Sequence, residues 1–225
     1  MQTMISSRQF RRFTRVAMVA AAMLLLVACT GGRVEKTLTT GIDVAGAPNI
    51  FIDNFNGAIE ITTGDAGRVE AAATLFGPAG EEATLDSLDF VFSANGEQVR
   101  GAGQWIAGAQ PADGAGIDLR LTVPAGANLE VRNGAGSIRY AGTPGESSLT
   151  LATGIGDIAL SLPAATAFRV DARAAIGSIE TNYALAASST STGATLTGMM
   201  GETPALTIDL ATGNGKITLE RQAPQ

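Results

Sequence analysis

Few side chains in this chain could carry covalent or acid–base chemistry. Its 225 residues include one cysteine, Cys29, and no histidine. Lacking histidine, the chain cannot build Ser-His-Asp or Cys-His catalysis or the usual zinc sites. Gly154-Ile155-Gly156-Asp157 has glycines spaced as in some phosphate and calcium loops. A dinucleotide loop leads into a helix N-terminus, and here a strand pattern follows. Calcium-binding nonapeptides return every nine residues or so, whereas this phrase returns after about 20, with Ser137, Ser178, Lys216 or Ala58 where Asp157 stands. Glycoside cleavage would need two carboxylates on one face. Glu130, Asp171 and Asp209, with Thr150, hold equivalent places in the repeat described below, and Arg132, Arg173, Ala152 and Ala211 follow two residues later. Acids set beside arginines in this way predict a solvated charge ladder that opposes mis-stacking. Phe51, Trp105 and Tyr183, the aromatics expected to be exposed, are too few to make an aromatic platform for sugar. A non-enzyme with no metal and no cofactor is therefore expected.

The one reactive position lies at the end of an export signal. Arg8, Arg11, Arg12 and Arg15 precede an apolar run, Val16 to Val27, that is shorter than the roughly 20 residues a membrane-spanning helix needs. A basic segment leading into a short apolar one is the secretory pattern. Arg11-Arg12 lacks the apolar pair that twin-arginine export would place after it. The run ends in Leu26-Val27-Ala28-Cys29, which resembles the bacterial lipobox, where cleavage precedes the cysteine and its sulfur is acylated. As the only cysteine, Cys29 cannot form an intramolecular disulfide. Each buried acyl CH₂ contributes about 0.8 kcal/mol, so two or more chains anchor stably. Thr30, standing where an inner-membrane lipoprotein would have Asp, points to the outer membrane if the cell is Gram-negative. The segments read as a signal peptide (1–28), lipidated Cys29 with a tether (29–46) that includes a first strand around Lys36 to Val44, and one folded domain (47–221).

Removing residues 1–28 takes away four of 15 basic residues and none of 21 acids, so the net charge falls from −6 to −10. An acidic body of this kind has no electrostatic footprint for nucleic acid. Its expected partners are the membrane, through the anchor, and an envelope protein or surface glycan.

The domain is organised by a phrase that recurs around five glycines. Gly156 has Leu149 and Leu151 seven and five residues before it and Ile158 and Leu160 two and four after. Gly57 (Ile50, Ile52, Ile59, Ile61), Gly136 (Leu129, Val131, Ile138, Tyr140), Gly177 (Val170, Ala172, Ile179, Thr181) and Gly215 (Ile208, Leu210, Ile217, Leu219) repeat the pattern. In a strand, residues i and i+2 share a face, so both pairs point inward if each unit is strand, glycine turn, strand. The glycine two residues earlier is Phe55 in one copy and Ala175 in another, so only the central position demands positive φ or close backbone approach. A recurrence near 20 residues predicts a solenoid, in which each unit buries its apolar face only by stacking on its neighbours. The 38-residue gap between Gly177 and Gly215 predicts a degenerate rung within Ala184 to Met200. Ahead of the repeats, Arg68 to Phe76 reads as a strand, and Leu88 to Trp105 reads as a hairpin turning at Asn95-Gly96 in a type I′ turn. Ile117 to Val123 alternates as a half-buried strand. The fold class is all-β, a single-domain β-solenoid with N-terminal strands and a hairpin.

TGIGDIAL, AAIGSIET and ATGNGKITL, with FNGAIEI upstream and LRLTVPAGANLEVRNGAGSI between, resemble the bacterial domain family of unknown function called putative adhesin, and the related head domain of autotransporter adhesins. The likeness spans about residues 36–220. It implies a β-solenoid in the cell envelope and carries over no catalytic residue. Two functions follow as expectations: a non-catalytic envelope lipoprotein, structural or binding a protein partner, or a polysaccharide-binding or polysaccharide-cleaving β-helix. Cys29→Ser should leave the chain exported but unlipidated; detergent partitioning checks this, with loss from the detergent phase expected.

Overall fold

The structure is a computed structural model that describes residues 32–64, 67–146 and 148–222. Leu26, Val27, Ala28 and Cys29 lie outside the described residues. The strands in chain order are β1 (Arg33–Asp43), β2 (Asn49–Asn56), β3 (Ile59–Gly64), β4 (Arg68–Pro78), β5 (Leu88–Asn95), β6 (Gln98–Trp105), β7 (Gly116–Pro124), β8 (Asn128–Ala135) and β9 (Ile138–Ala141). They continue with β10 (Ser148–Ile155), β11 (Ile158–Leu162), β12 (Phe168–Ile176), β13 (Ile179–Thr181), β14 (Ser188–Ser189), β15 (Ala194–Met200), β16 (Leu206–Asn214) and β17 (Ile217–Arg221). One helical turn, α1 (Glu82–Leu85), lies in the loop after β4. Among the described residues no helix is long and apolar enough to cross a membrane.

The strands form two open sheets, ordered β1-β4-β7-β3-β9-β11-β17-β13 and β14-β15-β12-β16-β10-β8-β2-β6-β5. Each repeat phrase crosses from the nine-stranded sheet to the eight-stranded one at its central glycine, and the crossing strands stack in parallel register. The chain is therefore an all-β solenoid. Its interior is aliphatic because alternation puts every second residue inside. Ile50, Leu129, Leu149, Ile208 and Val170 line it from one sheet and Ile59, Ile138, Ile158, Ile217 and Ile179 from the other, none more than 8% exposed. The flanking strands β1, β4 and β5 pair antiparallel.

The stacking order differs from chain order at both ends. The Gly215 rung (β16–β17) lies between the Gly156 rung (β10–β11) and the Gly177 rung (β12–β13). Consequently the 38-residue gap holds no degenerate rung. Ser188–Ser189 and Ala194–Met200 pair antiparallel, and β15 covers the outer edge of β12. A matching insertion occurs at the other end. β6 and β7 make an additional coil, with residues 106–115 in place of the glycine bend, and the Gly57 rung (β2–β3) lies between that coil and the Gly136 rung (β8–β9). The coils β6–β7, β8–β9, β10–β11 and β12–β13 run in sequence, and the first and last copies of the phrase are intercalated among them.

The first strand, expected around Lys36 to Val44, runs from Arg33 to Asp43 and pairs with β4 along its full length. Two local readings also change. The β5–β6 hairpin closes between Asn95 and Gln98 with Gly96 at φ +63 and no non-glycine residue at positive φ, so Gly96 takes the first corner as in a type II′ turn. Asp157 faces outward, but its Oδ1 accepts the Lys216 backbone N–H at 2.7 Å.

Intercalation gives a test. Ile158 and Ile217 are both 0% exposed. Ile217→Ala should cost roughly 2–5 kcal/mol, as much as Ile158→Ala, because its rung is internal although it ends the chain. Asp157→Ala should cost about 1 kcal/mol through its lost backbone cap. Urea denaturation measures all three; a much smaller loss for Ile217→Ala would place that rung at a fraying end.

Candidate functional site

The glycine bends form a continuous spine along one edge of the solenoid. A methyl group on Gly57 would lie 2.1 Å from the Ile117 carbonyl oxygen, one on Gly136 2.1 Å from that of Gly57, and one on Gly156 2.2 Å from that of Gly136. The series continues with Gly215 over Gly156 at 2.0 Å and Gly177 over Gly215 at 1.9 Å. Close approach thus excludes any side chain at all five positions. Positive φ holds at Gly57 (+131), Gly136 (+117), Gly156 (+143) and Gly177 (+135), and Gly215 is glycine for the contact alone. The position two residues earlier is tighter than the sequence suggested. A methyl on Gly134, Gly154 or Gly213 would come within 2.3–2.5 Å of the carbonyl oxygen of Phe55, Gly134 or Gly154.

Four of the five carbonyls in this series meet a side-chain donor from the next rung; opposite Gly215 O stands Ala174, which has none. Asn54 Nδ2 donates to Ile117 O at 2.9 Å, Asn133 Nδ2 to Gly57 O at 2.8 Å, Thr153 Oγ1 to Gly136 O at 3.0 Å and Thr212 Oγ1 to Gly156 O at 2.8 Å. All four donors are buried. Burying a polar group costs free energy unless it is bonded, so this row is specific to the stacking it supports. Sequence analysis passed over it. The signal was present: these residues stand three before the central glycine, on the same face as the apolar pair, and are polar in four of five copies. Two aspartates add outer caps, Asp118 Oδ1 to Ala58 N at 2.8 Å and Asp157 to Lys216 N.

The outer face of the eight-stranded sheet carries a shallow trough of about 600 Å³. Its floor is small side chains, Ala141, Ala159, Ser161 and Thr218, and its rims are Glu60, Arg139, Lys216 and Glu220. The residues three after each glycine stack in one row, Glu60, Arg139, Ala159, Thr218 and Glu180, with Arg120 beside Glu60. Arg120 Nε lies 3.2 Å from Glu60, and Lys216 Nζ lies 2.6 Å from Glu180. Among the described residues Arg139 makes no ion pair. Below the trough, burial pushes the Tyr140 phenol above its ordinary range. Folding thus favours its neutral form. That contribution is complete below the unfolded value near 10 and is lost as pH rises through the higher folded value.

On the other sheet the expected acid ladder is partly assembled. Asp171 and Asp209 are lateral partners, Thr150 is next, and Glu130 follows. Arg132 pairs with Glu130 of its own strand at 2.7 Å, and Ala152 and Ala211 separate it from Arg173. Among the described residues no three metal-binding side chains cluster. The three aromatics do not form a platform. Arg100 stacks over Phe51 at 5.1 Å, Trp105 packs on Phe55, and Tyr183, expected to be exposed, is buried edge-on against Phe168.

Open sheets, stacked rungs and a glycine spine define a bent-rung β-solenoid. The chain belongs to the Toastrack family of unknown function, whose model (Toastrack DUF4097) matches residues 52–220. Among solved structures it is similar to a putative cell adhesion protein from Clostridium sporogenes, with a TM-score of 0.50 and 11% identity over 84% of this chain and 100% of that one. A putative adhesin from Bacteroides fragilis is 10% identical over 83% of this chain and 97% of that one, with a TM-score of 0.24. Another from Parabacteroides distasonis is 10% identical over 64% and 61%, with a TM-score of 0.26. At 11% identity the likeness to the Clostridium sporogenes protein is one of fold. No match is found among curated proteins.

The spine generates two expectations. Thr212→Val, which removes the donor and keeps the shape, should cost about 1–3 kcal/mol by leaving Gly156 O unpaired. Gly156→Ala should cost more, because strain at φ +143 adds to the clash with the rung below, while Ala175→Gly at an exposed site should cost under about 1 kcal/mol. Thermal denaturation ranks the three.

Proposed function

We propose that this protein is a non-catalytic cell-envelope lipoprotein, held by an acylated Cys29 and binding an envelope protein through the outer face of its eight-stranded sheet. The observation that carries the reading is the trough over Ala159. Its floor of small side chains admits a partner's side chains, and its rims alternate in sign, Glu60 and Arg139 on one side and Lys216 and Glu220 on the other. Such a surface gives orientation and selectivity more than bulk affinity. Its openness suits a protein face, whereas small-molecule sites enclose most of their ligand. The lipobox supports the envelope address, since acylation would retain the body at a membrane without a spanning helix. If the cell is Gram-negative, Thr30 favours the outer membrane.

Arg139 is the rim charge to vary, since its partner would come from outside. The chain from residue 30 onward, immobilised on beads, should capture an envelope protein. Arg139→Glu should weaken capture about tenfold, near 1.4 kcal/mol, without changing thermal stability. Retention or shortening of cell-wall or capsular glycan chains, lost on Asp171→Asn with Asp209→Asn, would instead favour the polysaccharide reading.

A further inference from the structure

The glycine spine edge differs from the rest of the surface in composition. From −2 to +1 around the five glycines, the residues are Phe55 to Ala58, Gly134 to Ser137, Gly154 to Asp157, Gly213 to Lys216 and Ala175 to Ser178, with Asp157 and Lys216 the only charges. On this edge Ile155 is 62% exposed and Ile176 56%. A third exposed isoleucine, Ile106 at 45%, follows β6, which runs parallel to β2 and brings it level with Gly57. Three of the five large hydrophobics exposed among the described residues therefore share one edge. Ile106 and Ile176 are five strands apart in the sheet, about 24 Å.

The anchored end of the chain emerges at this same edge. Arg33 begins β1 opposite Pro78, and its guanidinium bonds Asp118, the residue that caps Ala58 just after Gly57. Cys29 is four residues before Arg33, so at about 3.5 Å per residue the acylated sulfur stays within about 14 Å of the start of the strand. A body tied so closely must rest some surface on the bilayer. At this edge the glycine bends carry only Asp157 and Lys216 as charges, and three isoleucines stand on it to insert. Glu81, Glu82 and Asp113, exposed in the loops near the anchor, disfavour an anionic surface. We propose that the glycine spine edge lies against the membrane, with Ile106, Ile155 and Ile176 seated at the zwitterionic headgroup layer. The trough face then stands roughly upright and open to partners. This inference rests on the reading of Cys29 as acylated.

The test uses the full lipidated chain in vesicles of phosphatidylethanolamine with a minority of phosphatidylglycerol. A thiol-reactive fluorophore is placed on Ile155→Cys, on Ile176→Cys or, at the opposite edge, on Ala165→Cys; the acylated Cys29 sulfur does not react. Brominated acyl chains should quench the labels at 155 and 176 severalfold more than the label at 165. Vesicle flotation separates the two readings. Protein that floats but shows equal quenching at all three sites, or quenching chiefly at 165, overturns the edge proposal and leaves the anchor intact. Labels at 155 and 176 that are shielded from water yet insensitive to bromine indicate a second copy on this edge and also overturn it. Protein that does not float overturns both.

Discussion

The contact on which the structure depends is that between one rung's bend carbonyl and the glycine of the next. With the oxygen about 2 Å from where a Cβ would stand, the two backbones can meet only if the upper residue is glycine. That approach leaves the carbonyl beyond the reach of ordinary ladder donors, and a buried Asn or Thr supplies the hydrogen bond. The pairing fixes register in both sheets together. A one-residue slip would expose Ile158, bury Asp157 and separate Thr212 from its acceptor. Aliphatic burial drives the collapse, while the spine decides which collapsed arrangement is native.

Intercalation changes how such a stack should behave. In a solenoid built in chain order, the first and last repeats each contact one neighbour and fray first. Here the first and last copies of the phrase have a rung on either side, and the coils they separate come from the middle of the chain. Local opening at the C-terminal rung must disturb two interfaces at once, which favours a single cooperative transition. The arrangement also leaves function to the surface. The interior is one continuous apolar cluster, so the partner binding proposed above would fall to the outer rows, where small side chains and alternating charges shape the trough.

Much of this was legible in the sequence for a plain physical reason. Alternation with period two assigns each side chain a face, and a recurring glycine marks each crossing, so rungs, core residues and fold class could be read directly. Stacking order could not be read. Every rung presents nearly the same edge to its neighbours, so the phrase around Gly215 fits beside Gly156 or beyond Gly177 equally well by pattern. The choice depends on the connection through β14 and β15. The spine was half legible: the glycines stood out, whereas Asn54, Asn133, Thr153 and Thr212 blended with ordinary strand polar residues until their common inward face was counted. The trough was not legible, because small residues at Ala159 and Thr218 become a floor only once four strands lie side by side.

Stacking order is the claim with the most at stake, and pairwise disulfide formation across the nine-stranded sheet tests it most directly. Ala211 is the lateral partner of both Ala152 and Arg173. Adjacent strands lie about 4.8 Å apart, within the Cα separation a disulfide tolerates, whereas next-but-one strands at about 9.6 Å lie beyond the roughly 7 Å limit. In a Cys29→Ser background, Ala152→Cys with Ala211→Cys and Ala211→Cys with Arg173→Cys should each oxidise readily, and Ala152→Cys with Arg173→Cys should not. Ready oxidation of the last pair with failure of the first would mean that the rungs stack in chain order, contradicting the intercalated spine.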